Sequence, residues 1–379
     1  MSDRHDLRSA SPRADLLSWL GLAGHPSGLG VLFFAELWER FSYYGMRALL
    51  VLFMVTPAGE GGLGFTAAEA AVIYGNYTMA VYLLAIPGGL AADRFLGQWR
   101  AVLAGGFFIA AGHFTLAAAE LDGVAFYAGL VLVALGTGLF KPGISALVGT
   151  LYTPADTRRD AGFALFYMGI NVGGFFAPLV TGFLAQSAAM KGWLAAQGLD
   201  PAGSWHWGFA AAGVGMVVGL AVLLLFGRRF ASGSPRPLRG RDREGGIPEQ
   251  QGEGSSWLAL AVVIAGTLAL MGLIMLSDRP GFGALRWAYV LLPAALVLWF
   301  GLARSEEAHR TAAMFVLLIA SILFWAIFEQ AGLTIALFAE HLTRAEVAGW
   351  AFPSSWFQSL NPLFVILLSP LFAALWMRL

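Results

Sequence analysis

The sequence has 379 residues, of which 58% are hydrophobic and only 12% charged, and its mean hydropathy is +0.70. This composition excludes an ordinary soluble globular protein and predicts a chain whose solvent is lipid. The formal net charge is zero, which does not suggest nucleic acid as a partner, and the absence of cysteine excludes disulfides, thiolate metal sites and a cysteine nucleophile.

Apolar stretches of about 20 residues recur along the chain, and this is the length that a helix needs to cross a bilayer. A β-barrel would instead show shorter segments of alternating polarity, and no such alternation is sustained. The first part of the chain is predicted to form six membrane-spanning helices, at 29–56, 68–91, 99–119, 123–151, 162–187 and 206–227. Four more are predicted at 257–276, 285–303, 312–339 and 355–376.

Two polar regions lie outside these spans. Residues 228–256 are rich in Gly, Pro, Arg, Glu and Gln and are predicted to be a linker after a six-helix bundle at 29–227. Residues 1–28 lack a small-residue cleavage site after a short apolar stretch, so we expect no signal peptide. Most of the 23 Lys and Arg residues fall on the side of the N-terminus and the linker, which predicts that both termini and the linker are cytoplasmic.

Charged residues inside the predicted spans are the main functional signal, because each costs about 2.5–3.5 kcal/mol to place at the centre of a bilayer. These residues are Glu36, Glu39, Arg40, Arg47, Lys141 and Glu329. Acids and bases balance, as mutual pairing in a water-filled cavity requires. The alternative is that the charges only hold helices together.

The first span concentrates its polar residues on one face. At about 100° per residue, Glu36, Arg40, Tyr43 and Arg47 project in similar directions, flanked by Glu39 and Tyr44. Farther along the chain, Trp325 and Glu329 are four residues apart and share a helix face. Glu329 is a candidate for reversible protonation, because a carboxylate titrates according to its burial and its basic neighbours.

Other polar positions are ambiguous. Lys141 precedes Pro142 and follows two glycines, which either open the helix towards a cavity or serve packing. Asn171 could bind a substrate or bridge two helices. His113 is the only histidine that looks buried, so no metal site is predicted, and no catalytic constellation or nucleotide-binding motif supports an enzyme.

Residues 36–45, with the sequence ELWERFSYYG, resemble the ExxERFxYYG signature of the proton-dependent oligopeptide transporter family, within the major facilitator superfamily. Similarity to this family continues at 88–97 (GGLAADRFLG), 138–142 (GLFKP), 166–171 (FYMGIN), Trp325 with 328–330 (FEQ), and 357–362 (FQSLNP).

The resemblance implies an all-α, polytopic membrane protein with the major facilitator superfamily fold. It assigns 29–227 to the N-terminal six-helix bundle, 257–303 to an extra transmembrane hairpin, and 304–379 to the first two helices of an incomplete C-terminal bundle. It also leads us to expect four further helices after residue 379, supplied by a missing segment or by a separate chain.

The same resemblance implies roles for individual residues. It places Arg47 and Lys141 at the carboxylate of a bound peptide. The residues expected to line the cavity are Tyr43, Tyr44, Tyr82, Asn171, Trp325 and Asn361. Those expected to carry proton coupling are Glu36, Glu39, Arg40 and Glu329.

The resulting hypothesis is proton-coupled symport of di- and tripeptides across a bacterial cytoplasmic membrane by alternating access, with protons as the coupling ion and no cofactor. Its partners would be small peptides, protons and the lipid bilayer. One alternative is a carrier of the same fold for another small solute, such as nitrate or a drug-like molecule. Another is a truncated, non-transporting binding or assembly subunit.

Overall fold

The computed structural model describes residues 24–118, 123–153, 155–227, 253–277, 291, 294–299, 302 and 306–376. Residues 1–23, the predicted linker up to residue 252 and most of the predicted span at 285–303 lie outside this description. The helices, numbered in chain order, are α1 Ser27–Val55, α2 Ala67–Leu83, α3 Ala85–Ala91, α4 Gln98–Ala117, α5 Gly123–Thr150, α6 Arg159–Gln186, α7 Ala188–Ala196, α8 Ser204–Phe226, α9 Glu253–Ser277, α10 Glu306–Phe328, α11 Thr334–Leu342 and α12 Leu360–Trp376.

Most of these helices are apolar along their length. Within the described residues, seven helical stretches are long and apolar enough to cross a membrane. α1 has a similar length, but it carries the charged residues Glu36, Glu39, Arg40 and Arg47. Among the described helices, α1 therefore carries the most charged residues, although most of its length is apolar.

Close helix crossings in the first part of the chain depend on glycine. α4 packs on α5, and a Cβ atom at either Gly105 or Gly136 would lie 2.6 Å from the carbonyl oxygen of the other. α1 packs on α6 and α8, and its Phe53 contacts the rings of Phe126 and Phe209 in the buried core. Small residues let the backbones approach, as is usual for helices that associate in lipid.

α2 is positioned at both of its ends. It begins at a capping box, in which Glu69 N donates to Thr66 Oγ1 (3.2 Å) and Thr66 N donates to the Glu69 carboxylate (2.8 Å). It ends at Leu83, and at the next residue α5 crosses so closely that a Cβ atom at Gly138 would lie 2.8 Å from the Leu84 carbonyl oxygen. α3 continues the same path, so one span is interrupted beside α5.

The span predicted at 312–339 lies within a helical stretch, Glu306–Leu342, that is long and apolar enough to cross a membrane, but this stretch is not one continuous α-helix. α10 ends at Phe328, a 3₁₀ turn covers Glu329–Gly332, and α11 follows. A side chain at Gly332 would collide with the hydroxyl group of Tyr74 and would lie 2.8 Å from Arg47 Nε. The glycine thus allows α1 and α2 to reach the backbone of this turn, and the periodicity of the sequence does not reveal that contact.

The last segment packs on α6 through side-chain hydrogen bonds to backbone carbonyls. After a 3₁₀ segment at Ser354–Ser359, α12 begins at Leu360. Trp356 Nε1 donates to Leu179 O (3.0 Å), and Ser359 Oγ donates to Phe175 O (2.8 Å). These bonds join the segment at 354–376 to α6 of the N-terminal bundle.

A two-stranded antiparallel hairpin precedes this segment. Its strands are β1 Glu346–Val347 and β2 Trp350–Ala351. The turn residues Ala348 (φ 52°) and Gly349 (φ 83°) both have left-handed backbone conformations, which is typical of a tight hairpin turn. Neither this hairpin nor α7 was predicted from hydropathy, because both are too short to resemble a membrane span.

Candidate functional site

Arg40 and two glutamates form a buried ionic cluster on α1. Arg40 Nη2 donates to Glu39 Oε1 (2.6 Å), a second bond joins Arg40 Nε to Glu39 Oε2, and Arg40 Nε lies 3.3 Å from Glu36 Oε1. All three residues are at most 5% exposed. Glu36 and Arg40 are one helical turn apart, so the sequence spacing alone brings them together. The cluster holds two acids and one base.

A second ion pair joins α1 to the 3₁₀ turn after α10. Arg47 Nη2 lies 3.0 Å from Glu329 Oε2, and the exposed fractions of the two side chains are 6% and 17%. Arg47 Nε donates to the hydroxyl of Tyr74 on α2 (2.9 Å). Arg47 therefore lies where α1, α2 and the turn after α10 meet.

Lys141 reaches the same carboxylate through a tyrosine. Its Nζ atom lies 4.9 Å from the centroid of the Tyr82 ring, and the Tyr82 hydroxyl donates to Glu329 Oε1 (3.1 Å). The contact has the geometry of a cation–π interaction. Glu329 thus has an arginine on one oxygen and, on the other, a tyrosine that packs against a lysine.

A cavity of about 530 Å³ opens beside Glu329, between α2 and the end of α10. This volume lies within the range usual for sites that bind small molecules. The lining residues are Tyr74, Gly75, Thr78, Met79, Tyr82, Trp325, Ala326, Glu329, Gln330 and Leu333. Its wall is mainly apolar, with the polar groups gathered near Glu329.

The structure groups most of the site residues predicted from the sequence, but not all. Tyr43 lies under Arg40, whose Cζ is 5.1 Å from the ring centroid, and Tyr44 packs edge-on against Tyr43. Trp325 lines the cavity. Asn171 instead donates Nδ2 to Tyr167 O (3.1 Å) in its own helix, and Asn361 is exposed at the start of α12. Of the six residues expected to line the cavity, Tyr82 and Trp325 line this one, whereas Tyr43, Tyr44, Asn171 and Asn361 do not.

Several lining residues were not predicted from the sequence. Tyr74 is the clearest case, because it binds Arg47 and lines the cavity. A signal for it exists, since Tyr74, Thr78 and Tyr82 are spaced four residues apart and share one face of an apolar helix. Gly75, Met79 and Leu333 carry no such signal, because apolar residues and glycine are ordinary in a membrane helix.

The charges of the site form one connected set. Arg40 pairs with Glu36 and Glu39, and Arg47 pairs with Glu329. Lys141 belongs to both pairs, because its charge interacts with Glu39 and Glu36 as well as with Glu329. If Glu329 were protonated, Arg47 would lose its acidic partner beside the cavity. An anionic ligand could then occupy the place of the Glu329 carboxylate, because buried charges require partners.

The family model and the two relatives described next all belong to peptide transporters or their family. The model of the POT family matches residues 99–237 and 289–379. A peptide transporter, YePEPT, from Yersinia enterocolitica is 41% identical over 369 residues, which are 93% of this chain and 68% of the relative. The di-/tripeptide transporter of Lactococcus lactis subsp. cremoris is 35% identical over 370 residues, which are 94% of this chain and 70% of the relative.

Solved structures share the fold. A crystal structure of the peptide transporter POT in complex with sulfate superimposes with a TM-score of 0.72 at 40% identity, covering 94% of this chain and 70% of the other. A POT family transporter in complex with 5-aminolevulinic acid gives a TM-score of 0.72 at 31% identity, covering 94% and 71% of the two chains. The predicted all-helical, multi-pass fold of the major facilitator superfamily is thereby confirmed.

Proposed function

Because this chain belongs to the POT family of membrane transporters, we propose that it carries di- and tripeptides together with protons across the cytoplasmic membrane of a bacterium. Relatives named as peptide or di-/tripeptide transporters support the substrate class. The lopsided distribution of Lys and Arg supports an orientation with the N-terminus in the cytoplasm. The reaction is translocation, not chemical conversion.

The observation that carries the proposal is the ion pair between Arg47 and Glu329 at the cavity, with Lys141 close by. A small peptide ends in a carboxylate, and Arg is suited to bind a carboxylate through paired hydrogen bonds. While Glu329 is ionised, it occupies Arg47. Once Glu329 is protonated, Arg47 and Lys141 are available to the peptide.

The two fluxes would be coupled because the proton and Arg47 compete for Glu329, while Glu329 and the peptide carboxylate compete for Arg47 and Lys141. The ion pair also joins α1 to the segment after α10, so its breakage would loosen a contact between two parts that move against each other in alternating access. Glu36, Glu39 and Arg40 would tune this step, because their cluster lies on the same face of α1 as Arg47. The cavity wall would hold the rest of the peptide.

The driving force is sufficient for accumulation. One charge that crosses a potential of 100 mV contributes about 2.3 kcal/mol, and one pH unit contributes about 1.4 kcal/mol. Together, one proton per peptide could sustain roughly a few-hundred-fold gradient. One proton carried with each peptide is therefore enough.

The test measures binding of dialanine to the purified 379-residue chain, with alanine and nitrate as competitors, followed by uptake in proteoliposomes under an inward proton gradient. We expect dialanine to bind, alanine and nitrate to compete weakly, and Lys141→Met to weaken binding. Lys191→Met on α7, outside the cavity, is the matched control.

Three results would redirect the proposal. Absence of dialanine binding would refute it. Competition by nitrate that matches dialanine would favour a carrier of other small solutes. Binding without accumulation would favour a non-transporting binding or assembly subunit.

A further inference from the structure

Gly75 is a gap in the wall of the cavity. It lies on α2 between Tyr74 and Thr78, and all three residues line the cavity. Among the residues that the structure describes, none has a heavy atom within 4 Å of a Cβ atom built at Gly75. Packing among the described helices therefore does not require glycine at this position.

Other glycines near the site are different. A Cβ atom at Gly332 would lie 2.8 Å from Arg47 Nε, and a Cβ atom at Gly138 would lie 2.8 Å from the Leu84 carbonyl oxygen. Those glycines are needed so that backbones and side chains can meet. Glycine destabilises the interior of a helix relative to alanine, and packing does not explain its presence at position 75. What glycine provides there is open space.

The space at Gly75 belongs to the apolar part of the cavity. Met79 and Leu333 line the same cavity, and a second small residue, Ala326, comes from α10. Polar groups of the lining come from Tyr74, Thr78, Tyr82, Glu329 and Gln330, and the Tyr82 hydroxyl donates to Glu329 Oε1 (3.1 Å). A ligand held by its carboxylate near Glu329 would extend its remaining groups over this apolar wall.

We propose that Gly75 sets the size of the peptide side chain that the cavity accepts, so that the substrates include peptides with a bulky apolar residue. This inference rests on the proposed peptide-binding function. Because Gly75 lines the cavity and its Cβ position is open among the described residues, a larger residue there would take up part of the cavity without colliding with those helices. It would fill the space that a bulky substrate needs, while a small peptide would still fit.

The experiment compares dissociation constants for alanyl-alanine and alanyl-tryptophan on the purified 379-residue chain. In Gly75→Leu, we expect alanyl-tryptophan to bind roughly tenfold or more weakly, because overpacking of a filled site is costly, with alanyl-alanine changed by about twofold or less. Gly75→Ala should give an intermediate ratio. Gly266→Leu is the matched control, since a Cβ atom at Gly266 on α9 meets no atom of the described residues within 4 Å and Gly266 lies outside the cavity.

The outcomes separate this inference from the function on which it rests. If the unmodified chain binds neither peptide, the proposed function fails. If it binds both and Gly75→Leu leaves the ratio of the two constants unchanged, the inference about Gly75 is wrong while the function stands. An equal loss of both peptides in Gly75→Leu also overturns the size limit, provided that the melting temperature of the variant matches that of the unmodified chain.

Discussion

Glu329→Gln is expected to remove the pH dependence of peptide binding and to abolish proton-driven uptake. The substitution preserves the shape of the side chain but removes the charge that pairs with Arg47. The amide can still accept a hydrogen bond from Tyr82 at the position of Oε1. Arg47 becomes permanently available to the peptide carboxylate, and no proton is needed to release it.

The size of the effect follows from the ion pair. At the 3.0 Å separation of Arg47 Nη2 and Glu329 Oε2, the attraction is about 5.5 kcal/mol at an effective dielectric constant of about 20, before the cost of desolvation. Breaking a buried pair while one charge stays unpaired costs about 3–5 kcal/mol. This is a factor of roughly 10² to 10⁴ against a peptide that must displace an ionised Glu329.

The assay is dialanine binding to the purified chain at a series of pH values. In the unmodified chain, affinity should rise as the pH falls, by up to about tenfold per pH unit, which is the slope for one linked proton. In Glu329→Gln, affinity should be high and nearly independent of pH. In proteoliposomes, the variant should still exchange labelled for unlabelled dialanine but should not accumulate it under a proton gradient.

Glu306→Gln is the matched control on α10. Glu306 is 88% exposed and only weakly paired with Arg310, so the same chemical change there should leave the pH slope intact. The reasoning is refuted if Glu329→Gln retains the pH slope of the unmodified chain, or if proton-driven uptake survives it. Either result would place the coupling proton elsewhere, with the cluster around Arg40 as the next candidate.

Two further predictions concern stability and are measured by thermal unfolding of the purified chain in detergent. Arg40→Met should destabilise the chain by about 3–5 kcal/mol, because Glu36 and Glu39 would lose the base that both contact. Arg310→Met, at an exposed position, should have little effect. If the two variants melted at the same temperature, the cluster would not be a buried ion network. Gly138→Ala should destabilise the chain by about 1–3 kcal/mol, because its Cβ atom would lie 2.8 Å from the Leu84 carbonyl oxygen. Gly266→Ala should not destabilise the chain. A Gly138→Ala variant as stable as the unmodified chain would mean that α2 and α5 can separate.

The charged stripe on α1 illustrates what can be read directly from residue spacing. Glu36 and Arg40 are one turn apart, and they do form an ion pair. Spacing does not reveal that Glu329 pairs with Arg47 and not with Lys141, because 282 positions separate Arg47 and Glu329 along the chain. Arg47 and Lys141 were equally suitable partners by charge alone.

Tertiary contacts also decided which polar residues reach the cavity. Asn171 and Asn361 belong to motifs that resemble the family, yet in this structure one bonds to its own helix and the other is exposed. Tyr74 was overlooked, although it binds Arg47. Helix rotation and crossing determine such placements, and hydropathy carries little information about them in helices that are apolar on most faces.

The sequence by itself determined that this chain is a multi-pass helical membrane protein of the POT family, because apolar length and the signature at residues 36–45 are local properties. Only the tertiary structure decided that α10 ends at a 3₁₀ turn, that Gly332 admits Tyr74 and Arg47, and that Gly75 leaves a gap in the cavity wall. These features depend on distances between segments far apart in the chain. Such distances are set by the packing of whole helices, which no local pattern of residues encodes.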